Sequence, residues 1–220
     1  MQADGKARRS SALGLITHRG PDDAGEVEDE QAWLGFRRLS ILDLSERGHQ
    51  PMRFGNGRFT LVFNGEIYNY RELGKELRQH RLESTGDAEV LGALLLEMPL
   101  ASVLAKLRGM FAFAWWDAEE RSLLAVRDAF GIKPLYFTKD ATGLRFGSEL
   151  RAVTALEERT PRLNPKALAQ YLRFGAVQAP DTIYEGVECL PPGHLHRWRN
   201  GSAVVEPWFE AAWSSEAEWM

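Results

Sequence analysis

The chain has 220 residues, of which 44% are hydrophobic and 26% charged, and its formal net charge is −4 at pH 7; this predicts a globular protein with a sizeable core in one large domain or two small ones. The negative balance gives no broad electrostatic case for a nucleic-acid partner, and the longest apolar run, MFAFAWW, is too short to cross a membrane. The N-terminus has no apolar stretch of signal-peptide length, and the single cysteine, Cys189, excludes an intrachain disulfide, so we expect a cytoplasmic protein without a membrane partner.

The first half of the chain carries both strand and helix patterns. Residues 34–44 alternate apolar and polar side chains and predict a strand, and residues 58–63 predict a second one that breaks at Asn-Gly-Glu. A helix is predicted over residues 69–80, with its first residue as the N-cap. Asp87 is a candidate cap for the next helix, GDAEVLGALLLEM, and Gly109 is expected to stop the short helix LASVLAKLRG.

The second half is richer in strands. The turns DAEER and KDATG join four apparent strands, which predict an antiparallel meander over residues 110–116, 122–127, 135–138 and 144–146. A helix follows in NPKALAQYLRFG, with Pro165 in its first turn and Gly175 at its end. The segment HLHRWRNGSAVVEP predicts a hairpin with an Asn200-Gly201 turn. Strands joined by hairpins, with a few helices, predict the α+β class.

Three short stretches carry candidate chemistry: RLSI at 38–41, NGE at 64–66 and GD at 86–87. Arg38 is a rigid fork suited to a carboxylate, and Glu66 and Asp87 could hold an ammonium. The side-chain NH₂ of Asn64 and the backbone N–H of Gly65 could stabilise the oxyanion of a tetrahedral acyl intermediate. A free amino acid presents a carboxylate and an ammonium together, so its recognition needs an arginine and acidic side chains.

Each of these residues also has an ordinary structural explanation. Asn-Gly is usually a turn, an aspartate before an apolar run is usually a helix cap, and a lone arginine on a strand usually faces solvent. Nothing in the spacing alone shows that the three stretches meet.

Longer motifs resemble a known family. The chain resembles the glutaminase domain of class II glutamine amidotransferases and, among them, the asparagine synthetase family. The resemblance covers about residues 18–209 and rests on HRGPDDAG, RRLSILDLSERGHQPM, FNGEIYNYRELGKEL, TGDAEVLGALL, LRGMFAFAWWDAEERSLLAVRDAFGIKPLYF, FGSELRAV and LPPGH. It implies the fold of the N-terminal-nucleophile hydrolases, an αββα sandwich with two antiparallel sheets between helix layers.

The resemblance also implies a glutamine site. Arg38 matches the arginine that holds the α-carboxylate, Asn64 and Gly65 match the oxyanion hole, and Glu66 and Asp87 match the acids near the α-ammonium. The implied substrate-binding set is Arg38, Leu39, Ile41, Asn64, Gly65, Glu66 and Asp87.

One part of the family pattern has no match. The family's nucleophile is an N-terminal cysteine that opens a strand, and residues 1–17 contain neither, so we expect the 220 residues as given to be inactive as a glutaminase. Cys189 lacks an α-amine base and is expected to be a buried structural thiol. His194 and His196 alternate on a strand without a supporting cluster, so we expect no metal site. The expected division is an atypical segment at 1–17, the amidotransferase domain at 18–209, and a tail at 210–220 that leads toward a synthetase domain.

Two functions stay open. In the first, the chain is the glutaminase half of an asparagine synthetase-like amidotransferase and supplies ammonia for ATP-dependent amidation of aspartate or a related carboxylate. The phosphate-binding loop of that synthetase domain is absent here, so we expect no cofactor in this chain, with ATP and magnesium bound only by a separate synthetase domain or chain. In the second, the chain is a non-catalytic module, as in proteins similar to β-lactam synthetases, with a structural or partner-binding role.

Overall fold

The computed structural model describes residues 2–211, with side chains from residue 5 onward. Its helices are α1 (Gln2–Leu15), α2 (Tyr70–Gly74), α3 (Asp87–Glu97), α4 (Leu100–Lys106), α5 (Leu150–Ala155) and α6 (Pro165–Phe174). Its strands are β1 (Asp23–Glu28), β2 (Trp33–Arg38), β3 (Met52–Phe54), β4 (Phe59–Ile67), β5 (Gly109–Asp117), β6 (Ser122–Arg127), β7 (Tyr136–Asp140), β8 (Gly143–Gly147), β9 (Val187–Cys189), β10 (His194–Arg199) and β11 (Ser202–Pro207).

The strands form three antiparallel sheets. The largest has six strands in the order β11-β10-β6-β5-β4-β3, and the smaller ones have the orders β1-β2 and β8-β7-β9. The pair β4–β5 is in register over nine residues, from Phe59 opposite Asp117 to Ile67 opposite Gly109. The strand that carries Asn64 and Gly65 therefore lies one place from the edge of the main sheet, and its other neighbour, β3, pairs only with residues 59–61 of it.

The six-stranded sheet buries apolar side chains on both faces. On one face, Phe63 and Phe111 pack in a cluster with Leu73, Leu91 and Val103, which lie on α2, α3 and α4. On the other face, a second cluster joins the sheet to the two smaller sheets through Leu34, Val62, Ala112, Ala114, Phe137 and Leu190. Successive residues of a strand point to opposite faces, so the run of apolar residues in β4 supplies both clusters.

The outermost layer consists of α1 and α5, which pack against each other, while α1 also contacts β2 and α5 contacts β7 and β8. Helices, the large sheet, the small sheets and helices thus follow one another as four layers. This confirms the α+β class and the αββα sandwich. The second sheet layer differs from the single sheet expected, because it is split into β1-β2 and β8-β7-β9, and the described chain places no strand between β2 and β8.

The predicted meander is wrong in its connectivity. Strands β5 and β6 pair, and β7 and β8 pair, but β6 has β10 as its other neighbour while β7 has β9. The chain changes sheets after Asp128, whose carboxylate accepts hydrogen bonds from the backbone of Phe130, Ile132 and Lys133. That carboxylate folds the connecting loop, in which Gly131 has a positive φ.

Two further predicted elements are too long. The strand expected over residues 34–44 ends at Arg38, because the next residues form a loop held by side chains. The helix expected over residues 69–80 ends at Gly74. The backbone N–H groups of residues 78–80 donate to the carboxylate of Glu97 instead of to helix carbonyls. Asn69 occupies the predicted N-cap position, but its side chain bonds to the backbone of residues 106 and 108 and makes no capping hydrogen bond.

Other boundaries move by a few residues. Gly86 takes the N-cap position that was predicted for Asp87, which is the first residue of α3. Helix α4 ends at Lys106, and Gly109 begins β5 rather than stopping the helix.

Two predictions with strong local signals are confirmed. Helix α6 has Asn164 as its N-cap, Pro165 in its first turn and Gly175 in the left-handed conformation at its end. The hairpin of β10 and β11 turns at Asn200 and Gly201, both with positive φ. Among residues 2–211, no helix has the length and apolar character needed to span a membrane.

Candidate functional site

The sequence-predicted site residues meet in one pocket of about 360 Å³. It lies where the end of β2, the end of β4 and the start of α3 converge. All seven line it: Arg38, Leu39, Ile41, Asn64, Gly65, Glu66 and Asp87. The fold therefore brings together three stretches that the sequence spacing left unconnected.

The edge of β4 presents a row of backbone N–H groups toward this pocket. The N–H of Phe63 donates to Oε1 of Gln50 over 2.7 Å, and that of Ile67 donates to Oδ2 of Asp87 over 2.8 Å. The next N–H, of Tyr68, donates to the other side, to the carbonyl of Arg108. Backbone groups alternate sides along a strand, so the Gly65 N–H, midway between Phe63 and Ile67, points to the pocket side.

Gly65 is required by this backbone. The strand does not break at Asn64-Gly65, as the sequence suggested, but continues to Ile67 with Gly65 at φ +156°. A Cβ at this position would lie 2.2 Å from the carbonyl oxygen of Met110 on the neighbouring strand. Only glycine allows β4 and β5 to approach this closely here.

Asn64 has a buried amide nitrogen, Nδ2, that finds no hydrogen-bond partner within the described part of the chain. A buried donor without a partner is costly, and such groups often await a ligand or water. Asn64 lines the pocket beside Gly65. Two donors, one from a side chain and one from the backbone, thus stand next to each other.

Arg38 also lines the pocket. It is only 8% exposed, its Nη1 donates to the carbonyl of Ser45 over 2.9 Å, and its Nη2 donates to the carbonyl of Asp43. The guanidinium therefore holds the loop 39–45 in place, and the residue lines the pocket as well. Leu39 and Ile41 on this loop are 54% and 70% exposed.

The carboxylate of Asp43 anchors the same loop. It accepts hydrogen bonds from the hydroxyl and N–H of Ser45 and from the N–H of Thr85, just before α3. These bonds, led by the Ser45 hydroxyl, lower the pKa of Asp43 to about 2. Asp43 is ionised at neutral pH and ties the Arg38 loop to the start of α3.

The acidic side of the pocket consists of Glu66 and Asp87. Asp87 is buried, and burial raises the pKa of its carboxyl, with a smaller contribution in the same direction from Glu66. A cation placed between the two would relieve both effects, because an opposite charge favours the ionised form. The pocket thus carries both an arginine and two acids.

Sequence reasoning missed Gln50 and Lys133, which also line the pocket. Gln50 lies in RRLSILDLSERGHQPM and Lys133 in the GIKPLYF segment, so motif membership was their only signal. Lys133 is held by its backbone: its N–H donates to Asp128 and its carbonyl accepts from Nε of Arg127. No ion pair of its ammonium group occurs among residues 5–211.

A second, mostly apolar cavity of about 120 Å³ adjoins the site. It lies between β2 and β8, is floored by Ala112 and Ala114 of the large sheet, and is covered by Leu13 and Ile16 near the end of α1. Asn64 lines both this cavity and the pocket. The gap between the two small sheets therefore reaches Asn64, one of the two candidate oxyanion donors.

The remaining candidates lie elsewhere. Cys189 is half-buried on β9 rather than fully buried; its sulfur lies 3.1 Å from Nη1 of Arg127, and burial raises the pKa of its thiol. His194 contacts the carbonyl of Pro192, and burial lowers the pKa of His196. No group of three potential metal ligands was found in the described structure.

Comparison with known proteins gives a consistent result. A family model described as "Glutamine amidotransferase domain" matches residues 1–209. An asparagine synthetase (glutamine-hydrolyzing) of Bacillus subtilis is 38% identical over 200 residues, which cover 90% of this chain and 31% of the relative. A putative asparagine synthetase (glutamine-hydrolyzing) of Mycobacterium bovis is 40% identical over 212 residues, covering 90% and 32%. The chain spans about a third of the length of these curated relatives.

Solved structures share the fold. A glutamine phosphoribosylpyrophosphate amidotransferase of Bacillus subtilis superposes with a TM-score of 0.67 at 18% identity, over 91% of this chain and 46% of that one. A second structure, described as the allosteric regulatory enzyme of purine biosynthesis, gives a TM-score of 0.68 at the same identity.

Proposed function

We propose that this chain, which belongs to the glutamine amidotransferase domain family, binds glutamine in the pocket formed by the ends of β2 and β4 and the start of α3. The observation that carries the proposal is the convergence on one pocket of a buried arginine, two acids and two adjacent N–H donors. This set offers a complementary group to each polar part of the amino acid.

The arrangement suggests one orientation for the ligand. The α-carboxylate lies toward Arg38, with Lys133 as a second positive charge, and the α-ammonium lies toward Glu66 and Asp87. The side-chain amide then extends to Asn64 and Gly65, whose N–H groups face its carbonyl oxygen. The unpartnered Nδ2 of Asn64 gains its missing acceptor in this pose.

The reaction that this geometry supports is hydrolysis of the side-chain amide. A thiolate would attack the carbonyl carbon, the two N–H donors would stabilise the oxyanion, and the nitrogen would leave with a proton as ammonia. Water would then cleave the thioester to give glutamate and restore the thiol. Cys189 does not line the pocket. We therefore propose that these 220 residues bind glutamine but do not hydrolyse it.

In a longer amidotransferase, the ammonia would amidate aspartate or a related carboxylate in an ATP-dependent step. We assign ATP and magnesium to a separate synthetase domain or chain, and no cofactor to this one. This assignment rests on the similarity to the asparagine synthetases, of which the chain matches about a third. We place the protein in the cytoplasm, where a free thiol stays reduced.

A non-catalytic module with a structural or partner-binding role is the second candidate, and the position of Cys189 favours it. The two functions differ in whether the pocket binds glutamine. A module that no longer uses glutamine would have no need for a pocket that holds it in preference to glutamate or asparagine.

Isothermal titration of the chain with glutamine, glutamate and asparagine tests the proposal. We expect saturable binding of glutamine, weaker binding of the other two, and at least a tenfold loss of glutamine affinity for Arg38→Ala. The matched control is Arg197→Ala, which changes an exposed side chain of β10 outside the pocket. This variant should bind glutamine as the parent does. Absence of glutamine binding to the folded parent would favour the non-catalytic module.

Ammonia release from glutamine is the companion assay. We expect none above background. Release that persists in Cys189→Ser would reveal a nucleophile other than this thiol and would overturn the inactive assignment.

A further inference from the structure

Gln50 is a buried side chain that takes the place of a strand neighbour beside β4. It is 7% exposed, its Oε1 accepts a hydrogen bond of 2.7 Å from the N–H of Phe63, and its Nε2 donates to the carbonyl of the same residue over 3.3 Å. Two residues that face each other in an antiparallel ladder exchange this same pair of bonds. The side-chain amide of Gln50 therefore extends the ladder beyond Leu61, the last residue of β4 that β3 pairs with.

The open part of the β4 edge lies between two such side-chain contacts. Beyond Phe63, the carboxylate of Asp87 accepts a hydrogen bond of 2.8 Å from the N–H of Ile67. Gly65 lies midway, with its N–H on the same side of the strand, and no side chain in the described part of the chain bonds to it. Two side chains thus hold the strand edge on either side of one open N–H group.

The position of that N–H decides how well it can bind a carbonyl oxygen or an oxyanion. Such a donor is effective when it is already held where the negative charge of the ligand lies, because it then needs no rearrangement on binding. Residues of a strand are about 3.3 Å apart, so the Gly65 N–H is roughly 7 Å along the strand from each of the two bonded N–H groups. Loss of the bonds at Phe63 would release one flank of this short segment.

The main chain at Gln50 is itself fixed by contacts on its other side. A Cβ on Gly25 of β1 would lie 1.9 Å from the carbonyl oxygen of Gln50, so this close approach requires glycine. The preceding residue, His49, contacts Asp23 of the same strand, with 2.6 Å between Nδ1 and Oδ2. The backbone at residue 50 is thus held against the small sheet β1-β2, while the side chain holds the large sheet.

The same segment contacts the arginine of the pocket. A Cβ on Gly48 would lie 2.2 Å from Nη2 of Arg38, so the backbone at residue 48 and the guanidinium are in close contact. Arg38 is the residue proposed to bind the α-carboxylate, and Gln50 follows Gly48 by two residues. One short segment therefore links this arginine to the strand edge proposed to bind the side-chain amide.

We propose that Gln50 is a positioning residue for recognition of the side-chain amide. Through its two bonds to Phe63, it holds the Gly65 N–H open and in place for the carbonyl oxygen of the ligand. The inference rests on the proposed binding of glutamine, and it identifies the residue on which selection of the amide depends. If Gln50 served only to stabilise the sheet, its loss would weaken all ligands of the pocket alike.

The test compares two ligands that share their α-groups. L-Norvaline has the α-carboxylate, the α-ammonium and two side-chain methylenes in common with glutamine, but it has no side-chain amide. In calorimetric titration, the parent should bind glutamine at least tenfold more tightly than norvaline. Gln50→Met keeps a side chain of similar length without the amide, and we expect it to lose at least tenfold in affinity for glutamine and less than about twofold for norvaline.

Gln79→Met is the matched control, because it makes the same change at an exposed glutamine outside the pocket. It should keep the parent's preference for glutamine. Gln50→Asn is the milder variant: its amide is one methylene shorter, so it should lose part of the preference with less disturbance of the buried packing. Equal losses for the two ligands, or an unchanged preference, overturn the proposal.

Amide hydrogen exchange measured by NMR tests the strand edge without a ligand. In the free parent, the N–H groups of Phe63 and Ile67 should exchange slowly and that of Gly65 rapidly, because exchange follows local hydrogen bonding. In Gln50→Met or Gln50→Asn, the Phe63 N–H should exchange faster. Protection of the Gly65 N–H equal to that of its neighbours in the free parent overturns the proposal.

The two proposals fail in different ways. A folded parent that binds neither ligand overturns the proposed function, and the role of Gln50 toward glutamine falls with it. A parent that prefers glutamine, with a preference that Gln50→Met retains, overturns the role of Gln50 alone.

Discussion

Oδ2 of Asp87, the first residue of α3, accepts a hydrogen bond of 2.8 Å from the backbone N–H of Ile67 at the end of β4. This bond joins the acidic side of the pocket to the strand that carries Asn64 and Gly65. The Gly65 N–H lies two residues earlier on the same strand edge. This one hydrogen bond therefore holds the acidic residue Asp87 in place relative to the candidate oxyanion donors Asn64 and Gly65.

The bond and the charge of Asp87 can be separated by substitution. Burial raises the pKa of Asp87 in the folded protein, so ionisation of this carboxyl favours the unfolded state. The stability that its protonated form contributes is fully present below the ordinary aspartate pKa of 3.8 and is lost as the pH rises through the folded pKa. Asp87→Asn keeps an acceptor for Ile67 without the charge. We expect it to be at least as stable as the parent at pH 7 but to bind glutamine at least tenfold more weakly.

Asp87→Ala is the comparison, because it leaves the buried N–H of Ile67 unpaired, at a cost of roughly 1–3 kcal/mol. Denaturant unfolding and calorimetric titration measure the two properties. If Asp87→Asn lost as much unfolding free energy as Asp87→Ala, the hydrogen bond would not have the role described.

The lowered pKa of Asp43 predicts that the protein loses stability in acid. Its pKa is lowered to about 2 by bonds from Ser45 and Thr85, so its contribution is present above its unfolded pKa and is lost as the pH falls from about 4 through 2. Asp43→Asn should reduce the free energy of unfolding at pH 7 by on the order of 2 kcal/mol, from 1.36 kcal/mol per pKa unit.

Denaturant unfolding of parent and variant between pH 7 and pH 2 checks this. The difference between them should shrink toward pH 2. Ser45→Ala, which removes the largest cause of the shift, should give a smaller effect with the same pH dependence. A difference that does not change with pH would contradict the assignment to the carboxylate charge.

Gly65→Ala should destabilise the protein and prevent glutamine binding. The added Cβ would approach the Met110 carbonyl to 2.2 Å, which forces β4 away from β5. Gly143→Ala is a matched control, because Gly143 has a similar positive φ of +140° but open space around it. We expect Gly143→Ala to lose only the cost of the backbone conformation, roughly 1–3 kcal/mol, and Gly65→Ala to lose more.

Thermal unfolding ranks the two variants, and titration with glutamine follows for whichever is folded. Equal destabilisation would mean that the strand shifts to accommodate the methyl group without strain. Retained glutamine affinity in Gly65→Ala would show that this N–H does not contact the ligand.

We expect the positive charge of Lys133 to contribute to glutamine binding. Lys133 lines the pocket, so Lys133→Met should weaken glutamine binding about three- to tenfold and reduce the dependence of affinity on salt, as expected for a lost charge. Lys139→Met, on an exposed part of β7, should change neither property. Titration at low and high salt measures both. An unchanged affinity would mean that Arg38, and not Lys133, binds the α-carboxylate of glutamine.

The sequence predicted those elements whose signals are local. Helix α6 carries its own cap, first-turn proline and terminal glycine, and the last hairpin has its Asn-Gly turn, so both appear where expected. The site residues were identified through motifs, and their convergence needed the fold. Helices α1 and α5 and strands β1, β3 and β9 were not predicted, because their sequences are short or weakly patterned.

The errors share a physical cause, which is competition from distant side chains. Gln50 and Asp87 bind the edge of β4 and carry the strand past Asn64-Gly65, where a local reading predicts a turn. Glu97 binds three backbone N–H groups of residues 78–80 and prevents the expected helix. Such side-chain acceptors have no signature in the segment they reorganise.

The loop that presents Lys133 is held from both sides by two consecutive residues. Asp128 accepts from its N–H groups, while Arg127 donates to the carbonyls of Gly131 and Lys133. Replacing one of these residues removes its hydrogen bonds to the loop and leaves only those of the other residue. The effects of substitutions at 127 and 128 on stability should therefore be strongly non-additive. In evolutionary terms, we expect positions 127 and 128 to behave as one epistatic pair.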